Sequence, residues 1–263
     1  MSVAFWLAPI AAAAGLVALL WRTRAETARL RRRLDAASGE LQRLQTAFGR
    51  FAPEAVVERI AASGLHATAE RKEVTVLFAD LVGFTPMSEG MAPEILVGML
   101  NAYFARMSGI INAHRGHVAK FIGDGLMALF GALEPNPWQT NDAVHAALAM
   151  RGALETYNRE LQAKGQPTLR VGIGIHRGPV VAGIIGSREW MEFTAIGHTV
   201  NLAARVERLT RVHEIDIAVT TAIRDALDPN VVLRPLPPTT VPGVADPVHA
   251  FAVERIVAMH SVR

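Results

Sequence analysis

The chain is predicted to fold as an α+β domain, a mostly antiparallel sheet flanked by helices, preceded by a transmembrane helix and a short coiled coil. Three observations carry this prediction. From Glu73 onward, short β-branched and apolar runs alternate with segments of helical period. Residues 3–21 contain no charged side chain. Between them, Leu30, Leu34, Ala37, Leu41, Leu44, Phe48 and Phe51 recur at spacings of 4, 3, 4, 3, 4 and 3.

Residues 3–21 come first. A helix of that length spans about 29 Å, enough to cross the hydrocarbon core of a bilayer. Trp6 and Trp21 stand near its two ends, where interfacial aromatics sit. The alternative is a cleaved signal peptide. Such peptides carry positive charge before the apolar stretch, whereas here Arg22, Arg24, Arg29, Arg31, Arg32 and Arg33 follow it. An uncleaved anchor is the better reading, and the arginines place the C-terminal side in the cytoplasm, at the inner membrane. Residues 22–52 form a basic juxtamembrane segment leading into the heptad seam. Either this seam pairs two copies in parallel or one amphipathic helix lies on the domain. Continuity with the membrane helix favours the pair. Pro53 ends the seam, and residues 53–70 read as a short helical linker.

Charge is distributed unevenly. Six arginines against Glu26 give +5 within residues 22–33, so the formal net charge of +3 leaves −2 for the remainder. A nucleic-acid-binding surface on the main domain is therefore not favoured. The chain has no cysteine, which excludes disulfides and thiolate metal sites.

The domain proper runs over residues 71–256. Strands are expected at 73–79, at 117–130 as a hairpin, at 169–176, near 179–185, at 193–196, 215–219, 231–236 and 248–255. Helices are expected at 93–114, opened by Pro93, at 140–164, at 199–209 and at 221–227. Two carboxylates stand out. Asp80 follows the apolar run Val74 to Ala79, and Asp124 lies at the tip of the hairpin in Ile122-Gly123-Asp124-Gly125. A carboxylate at the end of a core strand is costly unless it is paired or metal-bound. Two on neighbouring strands suit a pair of divalent cations of the kind that clamp attacking and leaving oxygens. An ordinary Asp-Gly turn beside an unrelated strand-end Asp is the plain alternative, and spacing alone does not separate the two.

Four motifs in order extend the argument: Phe78-Ala79-Asp80-Leu81-Val82-Gly83-Phe84-Thr85, Lys120-Phe121-Ile122-Gly123-Asp124, Arg170-Val171-Gly172-Ile173 and Ile196-Gly197-His198-Thr199-Val200-Asn201-Leu202-Ala203-Ala204-Arg205. Together they resemble the catalytic domain of the class III nucleotidyl cyclases, over roughly residues 70–255. The resemblance implies a ferredoxin-like cyclase fold. It also implies two Mg²⁺ or Mn²⁺ ions per active site, held by Asp80, Asp124 and the Leu81 carbonyl. By the same resemblance, the backbone of Gly83, Phe84 and Thr85 cradles phosphate oxygens, and Arg170 contacts the terminal phosphates. Lys120 and Thr194 read the purine. Asn201 and Arg205, one helical turn apart, orient the ribose and stabilise charge at the phosphorus. The family builds its site from two protomers, which agrees with the heptad seam and implies a homodimer with two equivalent sites.

Two positions depart from the family pattern. Thr194 replaces an Asp that accepts from the adenine amino group, as in one branch of the family, some of whose members respond to bicarbonate. Val244, in Val241-Pro242-Gly243-Val244, stands where a phosphate-binding lysine is usual. Losing one such contact weakens triphosphate binding by about 1–3 kcal/mol. The expected activity is that of a membrane-anchored adenylate cyclase, with ATP as substrate. A degenerate cyclase domain that only binds nucleotide or dimerises is the alternative, and a guanylate cyclase is a further one that Lys120 argues against. The histidines His114, His117, His176 and His198 fall on separate elements and read as structural. Gly178 to Gly183 lacks the Gly-Lys-Ser/Thr ending of a P-loop.

Overall fold

Strand β1 (Glu70–Leu81) organises the domain because its second half is buried on both faces, with Val74, Val76 and Leu77 wholly buried. The structure, a computed structural model, describes residues 21–22, 24, 26–27, 29–40, 69–187, 191–240 and 247–257. Two units are distinguished, Met1–Val57 and Glu58–Arg263.

In the first unit, residues 29–40 are helical, and Leu30 and Leu34 of the heptad seam are exposed on this helix. The rest of the seam, from Leu41, lies outside the described residues, as do the linker helix and residues 3–20 of the expected membrane span. Among the described residues no helix is long and apolar enough to cross a membrane.

The second unit is built on an eight-stranded sheet. Its remaining strands are β2 (Gly116–Ile122), β3 (Gly125–Phe130), β4 (Val171–Gly186), β5 (Met191–Ile196), β6 (Ile217–Thr220), β7 (Val231–Pro235) and β8 (Ala250–Ile256). The strand order is β2-β3-β1-β4-β6-β8-β7, with β5 pairing β4 off this path. The pairings are antiparallel except β4–β6. The helices are α1 (Phe84–Glu89), α2 (Pro93–Ala113), α3 (Gln139–Ala163), α4 (His198–Val212) and α5 (Thr221–Arg224).

One face of the sheet carries α2 and α3. Met99, Tyr103, Met107 and Ile111 of α2, and Ala143, Ala147, Met150, Leu154 and Leu161 of α3, share a core with Leu77, Ala79, Leu126, Ala128, Ile173 and Ile175. The Tyr157 hydroxyl ties the two helices by donating to the Met99 carbonyl at 3.1 Å. The opposite face carries α4, whose Val206 and Leu209 pack with Ala218, Ala250 and Ala252.

Three expectations are corrected. The strands placed at 169–176 and 179–185 are one strand, β4, of 16 residues. Gly178 and Pro179 read as a break. Pro179 instead falls between the stretches paired with β6 (Ile173–Ile175) and β5 (Val181–Gly186), so a strand flanks it only on the β1 side. A short helix, α1, follows β1 directly, over residues to which the sequence assigned no element. The helix near residue 200 also continues further than expected, to Val212.

Candidate active site

Register brings the two carboxylates together. In β1 and β3, Ala79 stands opposite Leu126, so the next position sets Asp80 beside Gly125 and one residue from Asp124. A Cβ on Gly125 would lie 2.7 Å from Asp80 Oδ1, so only glycine admits the carboxylate there. On the other side, β4 places Gly172 opposite Asp80. Asp80 therefore stands between two glycines on its neighbouring strands. The Asp124 pKa is raised, first by burial and then by the charge of Asp80, with nearby backbone N–H groups and Arg211 opposing. Two like charges share this corner, which suits a cation. Among the described residues no group of three His, Cys, Asp or Glu side chains is placed to hold a metal, so a cation at Asp80 and Asp124 would draw further oxygens from main chain or substrate.

The glycines also admit α4. A Cβ on Gly174 would come 2.1 Å from the Glu207 backbone nitrogen, and one on Gly172 would come 2.2 Å from Thr210 Oγ1. The helix thus lies directly on the strand, with Glu207 and Thr210 filling space that side chains on β4 would take. Arg211, one turn beyond Glu207, donates from Nη1 to both Glu207 oxygens at 2.9 and 3.1 Å, and from Nη2 to Asp80 Oδ2. Burial pushes the Glu207 carboxyl up to about 7, with Asp80 adding to the effect and Arg211 opposing it. Tyr103 is wholly buried, and its hydroxyl has no hydrogen-bond partner. Burial, then the charges of Asp80 and Asp124, disfavour its ionisation.

Around this corner lie the expected phosphate contacts. Gly83 adopts a left-handed conformation, φ 72°, and turns the chain from β1 into α1, which begins at Phe84 and Thr85. The Val82 N–H donates to the Arg170 carbonyl at 2.8 Å, which brings Arg170 beside the turn. The Arg170 side chain lies 3.6 Å from Asp216 and is half-exposed. The segment with Val244 is outside the described residues.

The two residues expected to read the purine, Lys120 and Thr194, lie on β2 and β5. Lys120 of β2 donates to Glu192 of β5 at 2.5 Å, and the His117 and Phe193 rings lie 5.9 Å apart. Thr194, two residues beyond Glu192 and so on the same face of β5, is buried with its hydroxyl unpartnered. Asn201 is exposed and Arg205 half-buried on α4, and Arg205 Nη1 is buried without a partner. Arg211 fixes the last turn of α4 at Asp80. Arg205 and Asn201 therefore sit about 9 and 15 Å further up the helix axis. Within one chain the structure joins Asp80 to the strand end that carries Asp124, and Lys120 to Glu192 two residues before Thr194, but not Asn201 or Arg205 to Asp80.

Glu207 and Arg211 were not anticipated from the sequence. Their signal is a carboxylate beside the apolar positions Ala203, Val206 and Leu209, with an arginine at i+4. His114 bonds the Ile110 carbonyl at 2.8 Å and His176 bonds Thr220 at 2.8 Å, in keeping with structural roles.

A sequence model of the adenylate and guanylate cyclase catalytic domain matches residues 67–254. The chain is 36% identical over 198 residues to an adenylate cyclase of Anabaena cylindrica, a match covering 72% of this chain and 38% of that relative. It therefore spans little more than a third of that relative's length. Among solved structures, it is similar to the guanylyl cyclase Cya2 with a TM-score of 0.67 and 34% identity, covering 74% of this chain and 98% of that one. It is also similar to the adenylyl cyclase CyaB from P. aeruginosa, with a TM-score of 0.67 and 29% identity over 71% of this chain and 96% of that one.

Proposed function

The chain belongs to the family of adenylate and guanylate cyclase catalytic domains, and from that premise we propose that it converts ATP to 3′,5′-cyclic AMP and pyrophosphate in a homodimer. The observation that carries the proposal is the juxtaposition of Asp80 and Asp124, two carboxylates at one end of the sheet with Asp124 pushed up by burial and by Asp80. These two side chains and the Leu81 carbonyl would hold two Mg²⁺ or Mn²⁺ ions, which neutralise the triphosphate and acidify the ribose 3′-hydroxyl. The chain's own residues do the rest. The backbone of Gly83, Phe84 and Thr85 holds phosphate oxygens, and Arg170 meets the charge growing on the leaving pyrophosphate. The 3′-hydroxyl gives up its proton to water as its oxygen attacks the α-phosphorus, the bond to the β-phosphate oxygen breaks, and cyclic diester and pyrophosphate result. Asn201 orients the ribose, and Arg205 offers a guanidinium to the phosphorus.

The separation of Asn201 and Arg205 from Asp80 along α4 supports a site completed by a second copy, as does the unpartnered Arg205 Nη1. Lys120 donates to adenine N1 and Thr194 accepts from the adenine amino group. The Lys120–Glu192 ion pair holds the ammonium against β5, and adenine over guanine is supported by the lysine itself, a donor for adenine N1. Residues 3–21 anchor the chain in the inner membrane, with the catalytic unit in the cytoplasm.

The experiment is a product assay on the purified full chain with Mn²⁺ and either ATP or GTP. Cyclic AMP from ATP, little product from GTP, and a loss of at least about a hundredfold in Asp80→Ala are expected. Preference for GTP would overturn the substrate assignment. Nucleotide binding without either product would identify a degenerate cyclase domain, the reading that Val244 favours.

A further inference from the structure

We propose that Arg211 is a built-in counter-cation for Asp80, clamped in place by Glu207, against which a divalent metal has to compete. The inference rests on the metal-binding reading of Asp80 and Asp124 given above.

The geometry divides the Asp80 carboxylate between two neighbours. Oδ1 faces the turn that carries Asp124, 2.7 Å from where a Cβ on Gly125 would stand. Oδ2 accepts from Arg211 Nη2. The guanidinium is not a loose surface charge that happens to lie near. Its other terminal nitrogen is held by both oxygens of Glu207, whose side chain is only 7% exposed. Gly172, opposite Asp80 in the sheet, leaves the gap through which Glu207 and Arg211 reach the strand end. Arg211 and Glu207 sit one turn apart, so the clamp needs no rearrangement of the helix.

Two consequences follow from charge alone. With Arg211 in place, the like charges of Asp80 and Asp124 are partly neutralised before any metal arrives, which steadies the metal-free fold. The same positive charge repels an incoming divalent cation, whether the guanidinium stays beside Asp80 or swings away to release it. The clamp thus weakens metal binding by the free chain. Arg211 and Glu207 are positioning residues in this account, and neither touches substrate.

Removing Arg211 alone strands a buried carboxylate, so the informative variant is the double substitution Arg211→Met with Glu207→Gln, accompanied by Arg211→Lys and by Asp124→Asn. Mn²⁺ binding to the full chain is measured without nucleotide, by the loss of the free-ion electron paramagnetic resonance signal. Thermal unfolding is followed with and without Mn²⁺. The double variant is expected to bind Mn²⁺ about tenfold more tightly than the natural chain. It should also melt lower without metal and gain more from Mn²⁺. Arg211→Lys, which keeps the charge and loses the two-sided clamp, should fall between. Unchanged or weaker Mn²⁺ binding in the double variant, with binding lost in Asp124→Asn, would overturn the clamp and leave the metal site standing. An unaltered isotherm in Asp124→Asn would instead remove the metal reading itself, and the clamp with it.

Discussion

Asp80 illustrates how a few neighbours decide what a carboxylate costs. Gly125 on one adjoining strand leaves it room, Gly172 on the other lets in the helix that carries Arg211, and Arg211 sets an opposite charge against it beside the like charge of Asp124. Elsewhere burial acts on single side chains with no partner charge to offset it. His117 and His176 are both pushed down to about 4 by burial, with nearby His198 adding to the effect at His176. Both are therefore neutral in the fold, while in the unfolded chain they take protons near 6.5. A group whose pKa falls on folding gives full stability above its unfolded value and loses it as acid protonates the unfolded chain. Unfolding free energy should drop by roughly 1–2 kcal/mol per histidine between pH 7 and pH 5. Urea titrations at the two pH values check this, and a double His117→Gln, His176→Gln variant should flatten the difference.

At the scale of elements, the contact between α4 and β4 sets the site. It depends on Gly172 and Gly174, which leave the strand bare beneath the helix. Gly174→Ala is expected to destabilise the fold by about 2–3 kcal/mol, because the added methyl meets main chain and not a side-chain tip that can turn aside. Chemical denaturation measures this loss, and an unchanged midpoint would mean that the helix is free to lift. These elements also separate what the sequence disclosed from what it hid. The strand ends at Asp80 and Asp124 were legible from their unbroken apolar runs, whereas the pairing of the two carboxylates was legible only once the later motifs were read with them. The helices from Pro93 and near residue 140 were legible for the same reason of period. β4 was not, since Gly178-Pro179 signals a break wherever the neighbouring strands are unknown. Nor was α1, whose six residues set only Phe84 and Met87, both partly buried, against the core, too few to mark a period. Arg211 was hidden because a register between distant strands, and not spacing along the chain, delivers it to Asp80.

For the molecule as a whole, the proposed reaction depends on two copies meeting, and the proposed N-terminal anchor and seam would govern how often they do. A tethered pair holds its partner at an effective concentration on the order of millimolar. A chain lacking residues 1–52 should therefore lose specific activity on dilution to nanomolar concentrations and regain it as concentration rises, while the full chain changes little. Activity followed against dilution, with the mass of the species measured in parallel, tests this. Full activity and a stable dimer in the dilute truncated chain would show the seam to be dispensable. The bare contact under α4 matters at this scale too. In a two-fold assembly each α4 would serve two reactions, since its last turn holds the home chain's Asp80 while its first turns carry Asn201 and Arg205 across the interface. A helix resting on strand backbone has nothing compressible beneath it to absorb a small displacement. It would behave as a rigid rod between twin pockets, so that events in one are transmitted as mechanical crosstalk to the other.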